Sequence, residues 1–351
     1  MVRITGNFQQ ETELHPAASA LLTELFDKGW HDPTKLNQQS RQTAILLQQA
    51  KESFAKLLQV EVNEIEFLGE VDLGFQLGIQ GLLTENSNLI HSAIDRQKVF
   101  AVAKYVQGLG RNVEVLPVNA QGVIERTSAQ PKDVLVWQIA NGETGNREGS
   151  PLAKCQIFAD CTSSGVDLLP DFEYQTALFD SSSWAGPAGL GILIIKSMAN
   201  WRNPLPHNDL IRVPNSFSIA LTLASAVALE NYVKDVDIRS KLKGEIINTI
   251  SSQIEDVDIA SAPDGISKYL SISIKSIEAD RLLLDLEDKG FSVDSGSACK
   301  SADMQPSHVL AAMGRPISGN IRMTLHKGIT ELEVKNFCSA LKSSVEKLRA
   351  N

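Results

Sequence analysis

The chain is poor in the features that mark exported, membrane or nucleic-acid proteins. Its opening stretch, MVRITGNFQQETEL, has no apolar run fit for a signal peptide. Nowhere does it approach the roughly 20 consecutive apolar residues of a membrane span. Basic runs are absent and the net charge is -9, which argues against nucleic acid or an anionic membrane as a main partner. The four cysteines, Cys155, Cys161, Cys299 and Cys338, match no zinc or redox spacing, so reduced thiols in a cytoplasmic protein are expected. The six histidines are scattered without an H-x-x-x-H pair, and no metal site is expected. Internal repeats and low-complexity tracts are missing as well. What remains has the composition of a globular protein with a sizeable core, 43% hydrophobic and 21% charged over 351 residues.

Helical and strand patterns alternate. Apolar spacing, an opening proline and a closing glycine predict a helix from Pro16 to Lys28, and a second from Ser40 to Leu58. A strand at Glu64–Leu68, a helix at Leu73–Leu83, a buried strand ending in SNLIHS and a helix at Ala93–Leu109 follow. Short strands are expected at Val113–Leu116, Val134–Ile139, Gln156–Ala159, Thr176–Phe179 and Gly191–Lys196. Such alternation predicts a largely parallel sheet covered on both faces, with ligands bound beyond the carboxyl ends of its strands. His91, Asp160 and Asp180 then fall in one cleft. A long helix at Ser216–Asp235 leads to a smaller α+β lobe. That lobe has helices at Ile238–Ile254, Ile277–Lys289 and Thr330–Ala350 and strands at Tyr269–Ile274 and Ile321–Leu325. The expected division is a large domain over 12–236 and a small one over 1–11 and 237–351, meeting near Lys234–Arg239.

The stretch from Ser295 to Gly314, SGSACKSADMQPSHVLAAMG, followed by GNIRMTL, resembles the cysteine desulfurases, class V aminotransferases among the pyridoxal phosphate (PLP) enzymes. Weaker similarity runs through WHDPTKLNQQSRQ, LIHSAI, ANGETG, ADCTSSG and GPAGLGIL. The resemblance implies the PLP-dependent transferase fold type I, an α/β fold. Its large domain has a mainly parallel sheet sandwiched by helices, beside a smaller α+β domain. It also implies a homodimer, with the active sites at the subunit interface. In that family a lysine holds PLP as a Schiff base and an arginine holds the carboxylate of substrate cysteine. A loop cysteine then takes the substrate sulfur as a persulfide and alanine leaves. By resemblance Cys299 is that nucleophile and Arg322 that clamp. The residue types agree. Lys300 beside Cys299 favours a thiolate, and a guanidinium forms a planar fork for a carboxylate. His91 matches the histidine stacked on the cofactor ring, and Asp160 the aspartate that pairs with its pyridinium nitrogen.

Other positions depart from the pattern. Ser182 and Ser183 stand where the family has His-Lys, and a hydroxyl cannot form an imine; the nearest downstream lysine, Lys196, follows the next strand. The phosphate-binding Ser-Gly-Ala-Thr loop becomes Gly69-Glu70-Val71-Asp72. A carboxylate about 4 Å from a phosphate charge, at an effective dielectric of about 20, costs about 4 kcal/mol. Val213 replaces a threonine donated across the dimer, Ser163 a glutamine on the phenolic oxygen, and Gly142 an asparagine unless Asn141 moves into its place. Two functions stay open. One is a pseudoenzyme with a vestigial PLP site (His91, Asp160, Ser163, Ser183), accepting persulfide at Cys299 or serving as a regulatory or scaffold protein in sulfur or iron–sulfur metabolism. Its partner would be a second copy or an active homologue. The other is an active PLP-dependent desulfurase or lyase with a rearranged site. A cleft repurposed for another small ligand carries less weight.

Overall fold

The computed structural model describes residues 6–28, 30–125, 129–206, 213, 216–296 and 306–350. Two sheets organise the chain. The larger has seven strands: β1 (Ile65–Leu68), β2 (Leu89–Ser92), β3 (Val113–Leu116), β4 (Val134–Gln138), β5 (Gln156–Asp160), β6 (Thr176–Asp180) and β7 (Gly191–Ile195). Their order is β1-β7-β6-β5-β4-β2-β3. The five strands β3, β2, β4, β5 and β6 pair in parallel, while β7 runs antiparallel to both β6 and β1. Every residue of β4 (VLVWQ) and β7 (GILII) is buried, as expected of strands covered on both faces.

The covering helices are α1 (Pro16–Lys28), α2 (Gln38–Leu58), α3 (Val71–Gln80), α4 (Gln97–Gly108) and α5 (Ile219–Tyr232). Helices α1, α2 and α5 share one apolar cluster with Phe67, Leu135 and Phe179, and α3 and α4 share a second with Val136, Phe158 and Leu178. Gly74 sets how closely α3 lies on the sheet: a β-carbon there would sit 2.3 Å from Leu178.

The second sheet, β10-β9-β8, is antiparallel and consists of β8 (Val257–Ile259), β9 (Tyr269–Ile274) and β10 (Asn320–Thr324). With α6 (Arg239–Gln253), α7 (Ala279–Asp288) and α9 (Glu331–Arg349) it encloses its own core, while α8 (His308–Ala312) packs through Val309 in a small cluster with Ile94 and Met313. Phe8 belongs to this core although it precedes α1. It is fully buried against Phe337, with ring centroids 4.8 Å apart. Its backbone joins the lobe through Phe8 N–Ser292 O at 2.8 Å and Thr324 N–Phe8 O at 2.7 Å. Where α6 begins, Arg239 ties the lobes together. Its guanidinium donates to both oxygens of Asp167 at 2.9 Å and to the Tyr232 hydroxyl at 3.0 Å, and it also pairs with Asp237.

The structure departs most from the sequence-based expectation in three elements. Helix α4 starts at Gln97 rather than Ala93, so residues 93–96 form a loop at the carboxyl end of β2. The short strand β8 and helix α8 had no counterpart among the expected elements.

Candidate active site

The cleft lies between the carboxyl ends of β2, β4 and β5 and the edge of the second lobe. It measures about 110 Å³ and is lined by Gln10, Arg96, Asn141, Glu143, His308 and Arg322 among others. A larger cavity of about 1090 Å³ adjoins it at Gln10 and runs under α1, past Ser182, Ser183 and Lys268.

The floor begins with Asp160, the last residue of β5. Its carboxylate is almost fully buried. One oxygen accepts from Thr162, at 2.9 Å from N and 2.6 Å from Oγ1. The other faces the Nε of Arg96 at 3.7 Å. Arg96 sits at the position before α4 where a small polar cap residue is usual, and its side chain caps nothing. It reaches over the floor instead and donates from Nη2 to Ser163 Oγ at 2.6 Å. Gly142 makes room for this arrangement. A β-carbon there would stand 2.6 Å from Ser163 Oγ and 3.4 Å from Arg96 Nη2.

Behind the floor, His91 is buried with its ring edge-to-face against Phe100, centroids 4.7 Å apart, and its Nδ1 donates to Ser92 O at 3.0 Å. Burial pushes its pKa down. Asp95 is fully enclosed and accepts from Ser92 N at 2.7 Å. Burial, helped by the nearby charge of Asp160, holds its pKa well above the usual 3.8. Glu143 is raised too, chiefly by burial, against the lowering effect of the Ser307 hydroxyl 2.6 Å away and of Arg322.

The second lobe closes the cleft with Arg322 on β10. Its backbone pairs with Asp294 in both directions, at 2.7 and 3.0 Å, and its guanidinium donates to Asp294 Oδ2 at 3.1 Å and to Gln10 Oε1 at 3.4 Å. The two ends of segment 297–305 meet beside it. A β-carbon on Gly296 would lie 2.9 Å from Ser307 Cβ and 2.6 Å from Glu143 Oε1. Gly296 N donates to Asn320 Oδ1 at 3.1 Å. On the far side Ser307 caps α8, accepting from Leu310 N at 3.1 Å. His308 then bridges to the large lobe, Nε2 donating to Asp95 O at 2.9 Å and Nδ1 accepting from Gln97 Nε2 at 3.0 Å. The Pro-Ser-His step thus anchors one end of the thiol segment, and the glycine of Ser-Gly-Ser admits the other. Cys299 lies outside the described residues.

No family model matches the chain. Searches of known proteins return cysteine desulfurases. The chain is 26% identical over 375 residues to cysteine desulfurase IscS of Dictyoglomus turgidum, covering 96% of this chain and 92% of that one. It is 27% identical over 370 residues to cysteine desulfurase 2 of Trichormus variabilis, covering 97% and 92%. Over nearly its whole length the chain is similar to cysteine desulfurases. Solved structures agree on the fold. A NifS-like protein superposes with a TM-score of 0.86 at 20% identity, covering 98% of this chain and all of that one. The apo cysteine desulfurase of Thermococcus onnurineus gives 0.84 at 14% identity, covering 98% and 95%. The α/β fold is that of PLP-dependent transferases of fold type I.

Within this desulfurase fold the sequence-predicted residues are distributed as follows. Arg322 lines the cleft; Asp160 and Ser163 do not line it, but both are reached by the lining residue Arg96, and His91 is buried. Ser183 is on the turn after β6, its Oγ donating to Asp180 O at 2.7 Å, and it lines the larger cavity. Asp180, expected in the cleft, lines neither cavity and caps this turn by accepting from Ser182 N at 2.9 Å. Lys196 turns away to Glu64, at 2.8 Å. Glu70 is the N-cap of α3 and Asp72 lies in its first turn, the helix starting at Val71, two residues before the start expected at Leu73. The Glu70 carboxylate accepts from Asp72 N at 3.2 Å, and Asp72 pairs with Lys98. Val213 is buried in the core under α3. Asn141 stays beneath the floor, donating to Ile94 O and Gln138 Oε1.

Three residues of the site went unnoticed in the sequence: Arg96, Glu143 and Lys268. Lys268 is buried in the second lobe and donates from Nζ to Ser183 O at 2.8 Å. No sequence signal announced it, because the contact spans 85 positions. Among the described residues no group of histidine, cysteine or acidic side chains could hold a metal ion, and no helix is long and apolar enough to cross a membrane.

Proposed function

We propose that this protein is a cysteine desulfurase relative that does not run PLP chemistry and handles sulfur delivered by another protein. The observation carrying this reading is Ser183. The resemblance puts it where the family has its Schiff-base lysine, and its hydroxyl is committed to Asp180 O at 2.7 Å. The phosphate end of the site supports the same conclusion. A helix N-terminus binds anions through its free amides and positive dipole end. At α3 one of those amides is taken by Glu70, and Asp72 adds a second carboxylate in the first turn. Val213, in the place of a donor hydroxyl, is packed into the chain's own core. The residues present do not fit PLP.

The sulfur role rests on Cys299 and on the way its segment is held. The Cys299 thiolate attacks the outer sulfur of a persulfide on an active desulfurase. A new S–S bond forms, the donor's S–S bond breaks, and the donor cysteine leaves as a thiolate, with no net redox change. The cleft wall with Arg322 then serves docking or regulation. The family resemblance supports a dimer, either of two copies or with an active homologue, in the cytoplasm.

The deciding experiment is the intact mass after incubation with PLP and borohydride reduction. The expected mass is unchanged. In a second experiment, an active desulfurase with cysteine should label wild-type protein with one sulfur, and Cys299→Ser should remove the label. An unlabelled wild type would end the relay role.

One observation favours the other reading, an active PLP enzyme with a rearranged site. Lys268 brings a primary amine to Ser183 O from the turn before β9 in the second lobe. On that reading the reduced protein gains one cofactor mass, the gain vanishes in Lys268→Met, and cysteine yields alanine.

A further inference from the structure

We propose that Arg96 is the residue that closes the cleft floor to a cofactor, taking for itself the two partners a cofactor ring would use. The inference rests on the reading that this chain does not use PLP, and it names what does the excluding.

Asp160 is 1% exposed. A carboxylate that deep needs a cation or several donors. One of its oxygens has Thr162, while the other has no hydrogen-bond partner among the described residues, and Arg96 is its ion partner. Ser163 gives its Oγ to the same guanidinium at 2.6 Å. By resemblance these two side chains flank the aromatic ring of PLP, one at its nitrogen and one at its phenolic oxygen. A planar guanidinium spanning both stands where the ring would lie.

Three features make the occupation part of the fold. The loop at 93–96 is closed by its own bonds, Asp95 to Ser92 N at 2.7 Å and Ala93 N to Leu116 O at 2.9 Å, which aims Arg96 at the floor. Gly142 leaves the volume that Arg96 and Ser163 use. The Arg96 Nε is buried 3.7 Å from Asp160 without a hydrogen bond, so among the described residues the cation is held by charge and by Ser163 alone.

The test restores an amine and asks whether Arg96 still excludes the cofactor. Four proteins are incubated with PLP, reduced with borohydride and weighed intact, with the labelled peptide sequenced: wild type, Ser183→Lys, Ser183→Lys/Arg96→Ala and Ser183→Lys/Arg96→Gln. The glutamine variant keeps a donor toward Ser163 and stands in where the alanine variant does not fold, as judged by a cooperative thermal melt. The expected result is little label in Ser183→Lys, and about tenfold more at position 183 once Arg96 is replaced. Equal labelling of the single and double variants overturns the proposal. So does a folded double variant that takes no label, which would move the exclusion to the acidic turn of α3. Label on wild type at another lysine ends the function proposed above and leaves the single-against-double comparison readable.

Discussion

Each wall of the cleft carries one arginine, and the two are held differently. Arg322, on the second lobe, is fixed by a strand: its backbone and its guanidinium both engage Asp294, which also accepts from Gln10 N at 2.8 Å. Losing Arg322 leaves Asp294 a donor. Arg96, on the sheet side, hangs from a loop and neutralises an almost fully buried carboxylate oxygen that has no hydrogen bond. Losing it strands a charge. The second lobe's wall presents its cation while keeping its own charge satisfied. The sheet's wall spends its cation on itself. One wall is equipped to meet something and the other is already filled.

The sharpest way to break this contrast is to remove each arginine in turn. Arg96→Ala should cost about 2 kcal/mol in denaturant unfolding. That is less than the 3–5 of a fully buried pair, because Arg96 is partly open to solvent. Adding Asp160→Asn should recover most of the loss, since no buried charge is then left alone. Arg322→Ala should cost about 1 kcal/mol, because Asp294 keeps its amide donor. Equal losses, or no recovery with Asp160→Asn, would mean that the walls do not differ in this way.

A subtler probe is Asp95, behind the floor. Its folded pKa is raised, so the folded state keeps a proton that the unfolded chain releases above about pH 4. Wild-type stability should therefore fall as pH rises from there toward the folded value. Asp95→Asn, whose amide oxygen can still accept from Ser92 N, should flatten that slope in melting temperatures taken across pH 4.5 to about 8. An unchanged slope would show that Asp95 is ionised in the fold. The smallest effect belongs to the exposed pair at α3. Lys98→Ala should change stability by less than about 1 kcal/mol, since both partners are roughly half open to water.

Much of the fold could be read from the sequence. Runs such as VLVWQ and GILII have the length and continuity of covered strands, and an opening proline with a closing glycine placed the ends of α1. The loop at 93–96 could not be read, and for a local reason. Ala93 and Ile94 continue the apolar spacing of α4, so periodicity extends the helix backward. The Asp95 side chain holds Ser92 N instead, and such side-chain bonds compete with helix formation. That displacement hid Arg96, because a residue inside a helix would not have been aimed at the floor. Strand β8 escaped because it has only three residues at a sheet edge. The residues of the candidate site were legible where a motif carried them, as with Arg322 and Asp160. They were illegible where one long side chain crosses between distant segments, as Lys268 does.

The placement of Phe8 has a consequence for synthesis. This residue emerges from the ribosome before any of the large sheet, yet its partners Ser292, Thr324 and Phe337 come last. At about 5–20 residues per second it waits roughly 15–60 s for them, an exposed aromatic on a free strand of chain. The first lobe can be complete before that interval ends, because among the described residues its cores draw on nothing before Leu14 or after Tyr232. The second lobe cannot close until α9 has been made, and it then takes in a residue made before the whole of the large sheet.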